Sequence, residues 1–371
     1  MSPYSLGINL YNWFETFAHD SFRKKFARIY STSQLNAAKC NYSDWRTLTK
    51  EQKNEIVAYW GIKHPVKSDF MTHEIMLNVK GEFDVRYVSE KVFRVYLDPT
   101  FSDRKLLPAW SDKNYFDRFQ PILHFPHTYV RNVNGYFLDC DYNIISRDEA
   151  KKIILEHLPL IIKPSLISGE GKNIRLISNE KDADGIFSLY SKDYLLQEVV
   201  IQCDELKQMS PRCVNTFRVI TAMVNGEPKH LTSHLLCNTT DVLAGNTAPT
   251  APGEGVVLIK VDEEGRLSDT GYYENAKQLQ TLPSGFTFGG LQIPSFKEVV
   301  NLALEAHKSM PMLGLIGWDI TVDENDKPVF IEWNLLGFEI YHTQLTNGPL
   351  FGKYSDYFAG VARKLIAGYR L

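Results

Sequence analysis

Two acidic residues and an amide near the C-terminal end of the chain form the pattern with the most chemical content. Asp319 lies in an apolar segment, and Glu332 and Asn334 lie in the next apolar segment, after a short polar stretch. A turn at residues 325–326 would join the two segments as an antiparallel ribbon with Asp319 opposite Glu332. Because side chains alternate along a strand, Asn334 shares the face of Glu332.

The opposite face of this ribbon is predicted to be apolar and to pack on the core. Its members are Trp318, Ile320, Val322, Val329, Ile331 and Trp333. Two directly opposed carboxylates, with Cβ atoms about 5 Å apart, repel each other unless a cation lies between them. Hard oxygen ligands suit Mg²⁺, which takes one or two carboxylates together with phosphate oxygens. The pattern therefore favours a metal site over the alternative, two acids on a solvated face.

A lysine at the end of an apolar strand indicates a phosphate site. Lys163 ends the segment 160–163, and the loop that follows contains Ser168, Gly169 and Gly171. Backbone N–H groups of a short Gly/Ser loop can approach phosphate oxygens closely, and the lysine supplies a point charge. The residue order differs from that of a Walker motif. An ordinary hairpin turn is the alternative interpretation of the loop.

A second apolar strand, at about 194–200, leads into an acidic stretch. Exposed backbone at the end of such a strand can bind the edge of an adenine, and a carboxylate a few residues later can bind ribose hydroxyls. A plain buried strand with an acidic loop explains the local pattern equally well. The residues concerned are Gln197, Glu198, Val199, Val200, Asp204 and Glu205.

Arg218 stands inside a strand-like segment, 217–224. Arginine is costly to bury unless it is paired, and its planar fork matches a phosphate or a carboxylate. A salt bridge to a structural acid is the alternative to a phosphate contact. Strict alternation puts Asn215 and Arg218 on opposite faces, so Asn215 reaches the same site only if it precedes the regular strand.

The elements that must position these residues indicate an α+β protein with three parts. We predict a mainly helical N-terminal region over 1–105, a first sheet subdomain with the phosphate-covering loop over 106–200, and a second with the metal hairpin over 201–371. Apolar spacing in the N-terminal region predicts helices near 14–30, 44–60 and 69–78. Later helices are predicted at 148–157, 295–310 and 355–367.

Composition excludes several classes of protein. Of the 371 residues, 44% are hydrophobic, which excludes a disordered chain. The formal net charge of −3 disfavours binding to nucleic acid. The five cysteines are widely spaced without a Cys-x-x-Cys pair, which is typical of reduced thiols in a cytoplasmic protein. No segment approaches the roughly 20 apolar residues of a membrane span, and no signal-peptide pattern is present.

In chain order, these segments resemble the ATP-grasp superfamily, and most closely its sugar-transfer-associated branch. The resemblance extends from about residue 112 to residue 367. The segments that carry it are 161–164 with Gly169 and Gly171, then 196–198, 215–218, 283–286, 293–294, 317–319 and 331–334. It implies an ATP-grasp fold, in which two mixed α/β subdomains clamp ATP.

The resemblance implies a role for each candidate residue. The residues expected to bind ATP are Lys113, Lys163, Ser168, Gly169, Gly171, Gln197, Glu198, Val199, Val200, Asp204 and Glu205. The residues expected at the reacting phosphoryl group are Arg218, Lys163 and Asn215. The residues expected to bind one or two Mg²⁺ ions are Asp319, Glu332 and Asn334. Within the first set, the lysines would contact phosphates, the glycine loop would cover them, 198–200 would hold adenine, and an acid would hold the ribose.

Family membership implies ligation of a small-molecule carboxylate to an amine through an acyl phosphate. By association with its branch, the acid would be a sugar or uronic acid of a surface polysaccharide, or an amino acid joined to one. Two alternatives stay open on sequence grounds. One is a kinase that phosphorylates a hydroxyl from the same nucleotide site, and the other is a protein that binds ATP without turnover. The oligomeric state is left open.

Overall fold

The computed structural model describes residues 3–102, 107–166, 173–239, 255–335 and 338–369, with side chains from Asp20 onward. The predicted α+β class is confirmed, because helices dominate the first hundred residues and two antiparallel sheets follow. Among the helices in these ranges, none combines the length and apolar character that crossing a membrane requires.

The helices and strands lie as follows. The helices are α1 (Pro3–Lys39), α2 (Lys50–Trp60), α3 (Met71–Lys80), α4 (Asp98–Phe101), α5 (Leu107–Trp110), α6 (Phe116–Phe119), α7 (Arg147–Glu156), α8 (Glu180–Leu189), α9 (Asp204–Met209), α10 (Phe296–Lys308), α11 (Ile340–Asn347) and α12 (Ser355–Ala367). A π-helix covers Val92–Leu97, and 3₁₀ turns cover Lys67–Asp69, Lys113–Tyr115 and Gly352–Tyr354. The strands are β1 (Thr128–Val133), β2 (Tyr136–Leu138), β3 (Ile144–Ile145), β4 (Leu160–Pro164), β5 (Arg175–Ile177), β6 (Tyr194–Glu198), β7 (Thr216–Val224), β8 (Glu227–Asn238), β9 (Val256–Val261), β10 (Leu267–Tyr273), β11 (Gln278–Leu279), β12 (Leu315–Val322) and β13 (Pro328–Asn334).

The chain separates into two compact units. The helical unit comprises Met1–Ser102, Asn275–Lys277 and Glu339–Leu371, and the sheet unit comprises Asp103–Glu274 and Gln278–Phe338. The C-terminal helices therefore group with the N-terminal ones, whereas the three-part division had kept them with the metal hairpin. That division itself stays a prediction.

Helix ends in the helical unit follow local capping signals. The helix expected from residue 44 begins only at Lys50. The side chain of Thr49 accepts a hydrogen bond from the backbone N–H of Gln52, and the side chain of Gln52 accepts one from the backbone N–H of Thr49. It ends at Gly61, whose φ of 69° is the left-handed conformation that closes a helix. The predicted helix 355–367 is confirmed as α12.

Two antiparallel sheets build the sheet unit. The first has the strand order β3-β2-β1-β6-β4-β5, and α7 and α8 bury Ala150, Ile154, Ala183 and Ile186 against it. The second has the order β11-β10-β9-β8-β7-β12-β13. Helix α10 buries Phe296, Val299 and Ala303 in the core of this second sheet, which also contains Trp318.

The register of the β12–β13 ribbon confirms the central pairing and corrects one face. Asp319 pairs with Glu332, as predicted, but the register then shifts, and Ile320 pairs with Phe330. The extra residue on β13 forms a bulge, which turns the side chains before it on that strand to the face opposite to the one that strict alternation predicts. Phe330 is therefore fully buried in the core, and Ile331 is only half-buried. The prediction that Ile331 faces the core is wrong.

The bulge can be checked with a matched pair of truncations. Phe330→Ala should lower the free energy of unfolding of the sheet unit by about 3–5 kcal/mol, because it leaves a cavity in a closed core. Ile331→Ala should cost only about 1 kcal/mol. Chemical denaturation measures both values, and an equal or reversed loss would contradict the bulged register.

Candidate nucleotide and metal site

Asp319 lies between two strands that supply its partners. Arg218 on β7 is its direct register partner on one side, and Glu332 on β13 is its partner on the other. The guanidinium donates from both Nε and Nη2 to the two carboxylate oxygens, with 3.1 Å between Nη2 and Oδ2. Asn334 Nδ2 donates to Oδ2 at 3.0 Å. Asp319 is only 7% exposed, so this planar pair is largely removed from water.

A glycine makes room for this pair. A Cβ atom on Gly317 would lie 3.2 Å from Cδ of Arg218 and 3.2 Å from Cβ of Phe338. Such contacts are tighter than ordinary van der Waals separation, so any larger residue would push the arginine stem aside. The Gly317-Trp318-Asp319 sequence thus combines space for Arg218, a core anchor and a carboxylate.

Glu332 forms an ion pair with a lysine. Lys113 Nζ lies 2.9 Å from Glu332 Oε2. Lys113 opens a 3₁₀ turn, and its backbone N–H donates to the carbonyl of Ser165, directly after β4, at 3.0 Å. The side chain of Glu332 is 25% exposed, more than that of Asp319.

Lys163 is the third cation of the site. It lies on β4, pairs with Leu195 and is 7% exposed. No ion-pair partner lies against its ammonium group within the described ranges. Burial first, and then the charge of Lys113, lower the pKa of Lys163 to about 8, while Glu332 acts in the opposite direction.

The surroundings shift the pKa values of the two carboxylates in opposite directions. Burial raises the pKa of Asp319, and the charge of Glu332 adds to this, although Arg218 opposes both. Burial also acts to raise the pKa of Glu332, but the charges of Lys113, Lys163 and Arg218 together hold it below its ordinary value. Three cations around two carboxylates leave an excess of positive charge, which suits a polyanion.

The donor chemistry fits a hard divalent cation when a ligand supplies further oxygens. Asp319 and Glu332 offer carboxylate oxygens, and Asn334 offers an amide oxygen, the donors that Mg²⁺ prefers. In the part of the chain that the structure describes, no group of three or more His, Cys, Asp or Glu residues converges on a point. The requirement for a cation between opposed acids is met here by Arg218 and Lys113, so a metal would have to compete with them.

Both lysines line a small cleft in the sheet unit. Its other walls include Phe125, Thr128, Gln197 and Ile331. The Gln197 side-chain nitrogen donates to the carbonyl of Pro126 at 3.1 Å and to Thr128 Oγ1 at 2.9 Å, so it braces the cleft. The sequence did not indicate three of these wall residues as part of a site, because strand pairing and the bulge bring them to the cleft. They are Phe125, Thr128 and Ile331.

The segment predicted to hold adenine follows β6. Glu198 ends that strand, and its Oε1 accepts from the backbone N–H of His127 at 2.9 Å. Val199 and Val200 are half-buried, and within the described residues no backbone hydrogen bond involves either of them. Their peptide groups therefore remain able to pair with a ligand.

The two acids predicted to bind ribose lie in the first turn of α9. Asp204 has 88% of its side chain exposed and lies 3.9 Å from the ammonium nitrogen of Lys207. Glu205 is half-buried. Their roles stay predictions, as do those of Ser168, Gly169 and Gly171, which lie outside the described residues.

Asn215 precedes β7, as its predicted role requires, but its side chain points to other partners. It is fully buried, and Nδ2 donates to Gln202 Oε1 at 3.1 Å and to the carbonyl of Leu206 at 2.9 Å. No contact with Arg218 or Asp319 is seen among the residues described. Its place at the phosphoryl group stays a prediction without a supporting contact.

The family model of the sugar-transfer associated ATP-grasp proteins matches residues 178–354 of the chain. This range contains Arg218, Asp319, Glu332 and Asn334, whereas Lys113 and Lys163 precede it. No curated protein matches the sequence.

Several solved structures are similar to the chain at low identity. The biotin carboxylase domain of Hydrogenobacter thermophilus 2-oxoglutarate carboxylase, solved with MgADP, ADP and bicarbonate, is 16% identical with a TM-score of 0.42, over 72% of this chain and 47% of that one. Campylobacter jejuni biotin carboxylase is 17% identical with a TM-score of 0.42, over 71% and 47%. The ATP-grasp ligase PsnB, complexed with a minimal precursor, is 12% identical with a TM-score of 0.42, over 70% and 63%. This chain therefore corresponds to about half of each carboxylase.

The family match confirms the resemblance carried by the acid–acid–amide pattern and by the arginine strand. The assignment rests on that match and not on the structural likenesses, whose TM-scores are low. Residues 178–354, just under half of the chain, match the sugar-transfer associated ATP-grasp family.

Proposed function

We propose that this protein is an ATP-dependent ligase that joins a carboxylate to an amine through an acyl phosphate. The observation that carries the proposal is the cluster of two opposed carboxylates and three cations in the sheet unit. A site for a triphosphate and its metal needs this combination, in which cations meet phosphate oxygens and carboxylates meet the metal.

The phosphates of the nucleotide would lie against the small cleft that the two lysines line. Lys113 and Lys163 would contact the phosphates, and the backbone of 199–200 would pair with the adenine edge. Asp204 or Glu205 would hold the ribose. Asp319, Glu332 and the oxygen of Asn334 would hold Mg²⁺, which supplies neutralisation of phosphate charge when bound.

The reaction needs no nucleophile from the protein. A carboxylate oxygen of the acid substrate attacks the γ-phosphorus of ATP and displaces ADP, and the amine then attacks the acyl carbon and displaces phosphate. Charge spreads over the phosphoryl oxygens during the first step. Lys163 and Arg218 would stabilise that charge from fixed positions, because burial limits their movement.

The buried histidine near the site is better explained as structural. His307 contacts Thr221 Oγ1 through Nδ1 at 2.7 Å and the carbonyl of Leu313 through Nε2 at 2.6 Å. Burial lowers the pKa of His307 to about 4, so it stays neutral near pH 7. Trp318 Nε1 donates to the same Thr221 hydroxyl at 2.8 Å, which anchors β12 beside Asp319.

The name of the family supports a substrate linked to sugar metabolism. We extend the proposal to a sugar or uronic acid of a surface polysaccharide, or an amino acid joined to one, as the carboxylate. The reaction would take place in the cytoplasm, where ATP is available.

The carboxylates can be tested against a control on the same ribbon. With Mg²⁺ and panels of carboxylates and amines, ADP release should require both substrates, and mass spectrometry should detect the amide. Asp319→Asn and Glu332→Gln should each lower turnover at least about 100-fold, because phosphate charge loses its neutralisation. Glu324→Gln, at an exposed position of the connecting turn, should leave turnover unchanged.

Other outcomes of that screen would contradict the proposal. ADP release that needs a hydroxyl compound and no amine would indicate the kinase. Binding of ATP without product from any pair would favour a non-catalytic protein. Loss of the fold in both acid variants would assign Asp319 and Glu332 a structural role.

The lowered pKa of Lys163 predicts that nucleotide binding depends on pH. Its pKa in the free site is about 8, and a bound phosphate favours the charged ammonium. Below pH 8 the charge is already present, so affinity for ADP should be level. Above pH 8 each unit should lower the affinity by up to about tenfold, because the proton must be taken up on binding.

Calorimetric titration of ADP between pH 7 and pH 9.5 measures this dependence. Lys163→Arg should remove it, since a guanidinium stays charged throughout. Lys152→Met, at an exposed lysine of α7, is the matched control and should retain the wild-type profile. A wild-type affinity that does not change across this range would contradict the place of Lys163 at the phosphates.

A further inference from the structure

Both carboxylates of the proposed metal site are already neutralised by side chains. Arg218 binds Asp319 through two donors, and Lys113 binds Glu332 through one, at 2.9 Å. Lys113 contacts Oε2 of Glu332, so its ammonium charge would lie beside a metal ion on that carboxylate and repel it. Metal binding at Glu332 is therefore weakened while Lys113 stays in place.

The two pairs differ in how firmly they are held. Arg218 and Asp319 are register partners on neighbouring strands, with 13% and 9% of their side chains exposed. Asn334 adds a further hydrogen bond to that carboxylate. This pair is fixed by the sheet.

The Lys113–Glu332 pair is the exchangeable one. Lys113 meets Glu332 through one ammonium nitrogen on a flexible four-carbon stem, whereas Arg218 offers a planar fork, and Glu332 is 25% exposed. Lys113 also lines the cleft next to Lys163, whose like charge repels it. A phosphate in that cleft would attract both ammonium groups and relieve their repulsion.

We propose that Lys113 is a counter-ion that exchanges between Glu332 and the nucleotide. Without nucleotide it pairs with the Glu332 carboxylate and opposes metal binding there, and a bound phosphate draws its ammonium away and leaves the carboxylate to the metal. This inference rests on the proposed nucleotide and metal site, and it adds a coupling between the two ligands. By linkage, each ligand tightens the other by the same factor.

Removal of Lys113 should therefore change the two affinities in opposite directions. Electron paramagnetic resonance titration with Mn²⁺ measures metal binding, with and without ADP, and calorimetry measures ADP binding without metal. In Lys113→Met, Mn²⁺ alone should bind about tenfold more tightly than to wild type, and ADP alone should bind more weakly. The factor by which ADP tightens Mn²⁺ should be smaller than in wild type, because only the direct contact between phosphate oxygens and the metal then remains. A merely structural role of Lys113 would not strengthen any binding.

Three further variants serve as controls for this interpretation. Lys113→Gln should reproduce the gain in Mn²⁺ affinity if the methionine disturbs the local fold. Lys152→Met removes an exposed lysine elsewhere in the sheet unit and should leave both affinities unchanged. Glu332→Gln added to Lys113→Met should remove the gain, because the released carboxylate is the ligand.

The outcomes separate this inference from the proposed function. If wild type binds Mn²⁺ in the presence of ADP, but both Lys113 variants bind Mn²⁺ alone no more tightly than wild type does, the exchange is overturned and the metal site stands. If wild type binds no Mn²⁺ even with ADP, the metal site fails, and the proposed function and the exchange fail with it.

Discussion

The placement of two carboxylates side by side on one β-ribbon is the constraint on which the site depends. Asp319 is buried and faces the half-buried Glu332 across β12 and β13. Each buried charge is costly unless an opposite charge compensates it. The sheet unit provides this compensation with Arg218, Lys113 and Lys163, which come from a neighbouring strand, a 3₁₀ turn and the other sheet. The same cations give the cleft its affinity for a polyanion.

The fold carries these groups on elements of different rigidity. Arg218 and Asp319 lie on hydrogen-bonded strands, and Trp318 and Phe330 anchor the ribbon in the core. Lys113 lies on a short turn, and its long side chain extends from that turn to Glu332. The strands can hold a fixed geometry for phosphoryl transfer, and the flexible lysine stem permits the movement that ligand exchange needs.

Much of the candidate site could be predicted from the sequence because it depends on local pattern. The apolar runs and the turn between them determine that Asp319 faces Glu332, since a hairpin with a short turn leaves few registers. The bulge at Ile331 could not be predicted, because it arises from packing of Phe330 in the core rather than from alternation. The Lys113–Glu332 pair joins residues more than two hundred positions apart. For Asn215, the prediction that it precedes the strand was correct, but its side chain bonds to other partners. The grouping of residues 339–371 with the helical unit likewise depends on tertiary packing.

A crystal structure of the protein with ADP and Mn²⁺, with anomalous scattering to locate the metal, tests the central claim most directly. The account predicts an anomalous peak in contact with a Glu332 oxygen and with phosphate oxygens, and the Lys113 ammonium on a phosphate. A metal distant from Glu332, or Lys113 still paired with that carboxylate beside a bound nucleotide, would contradict it.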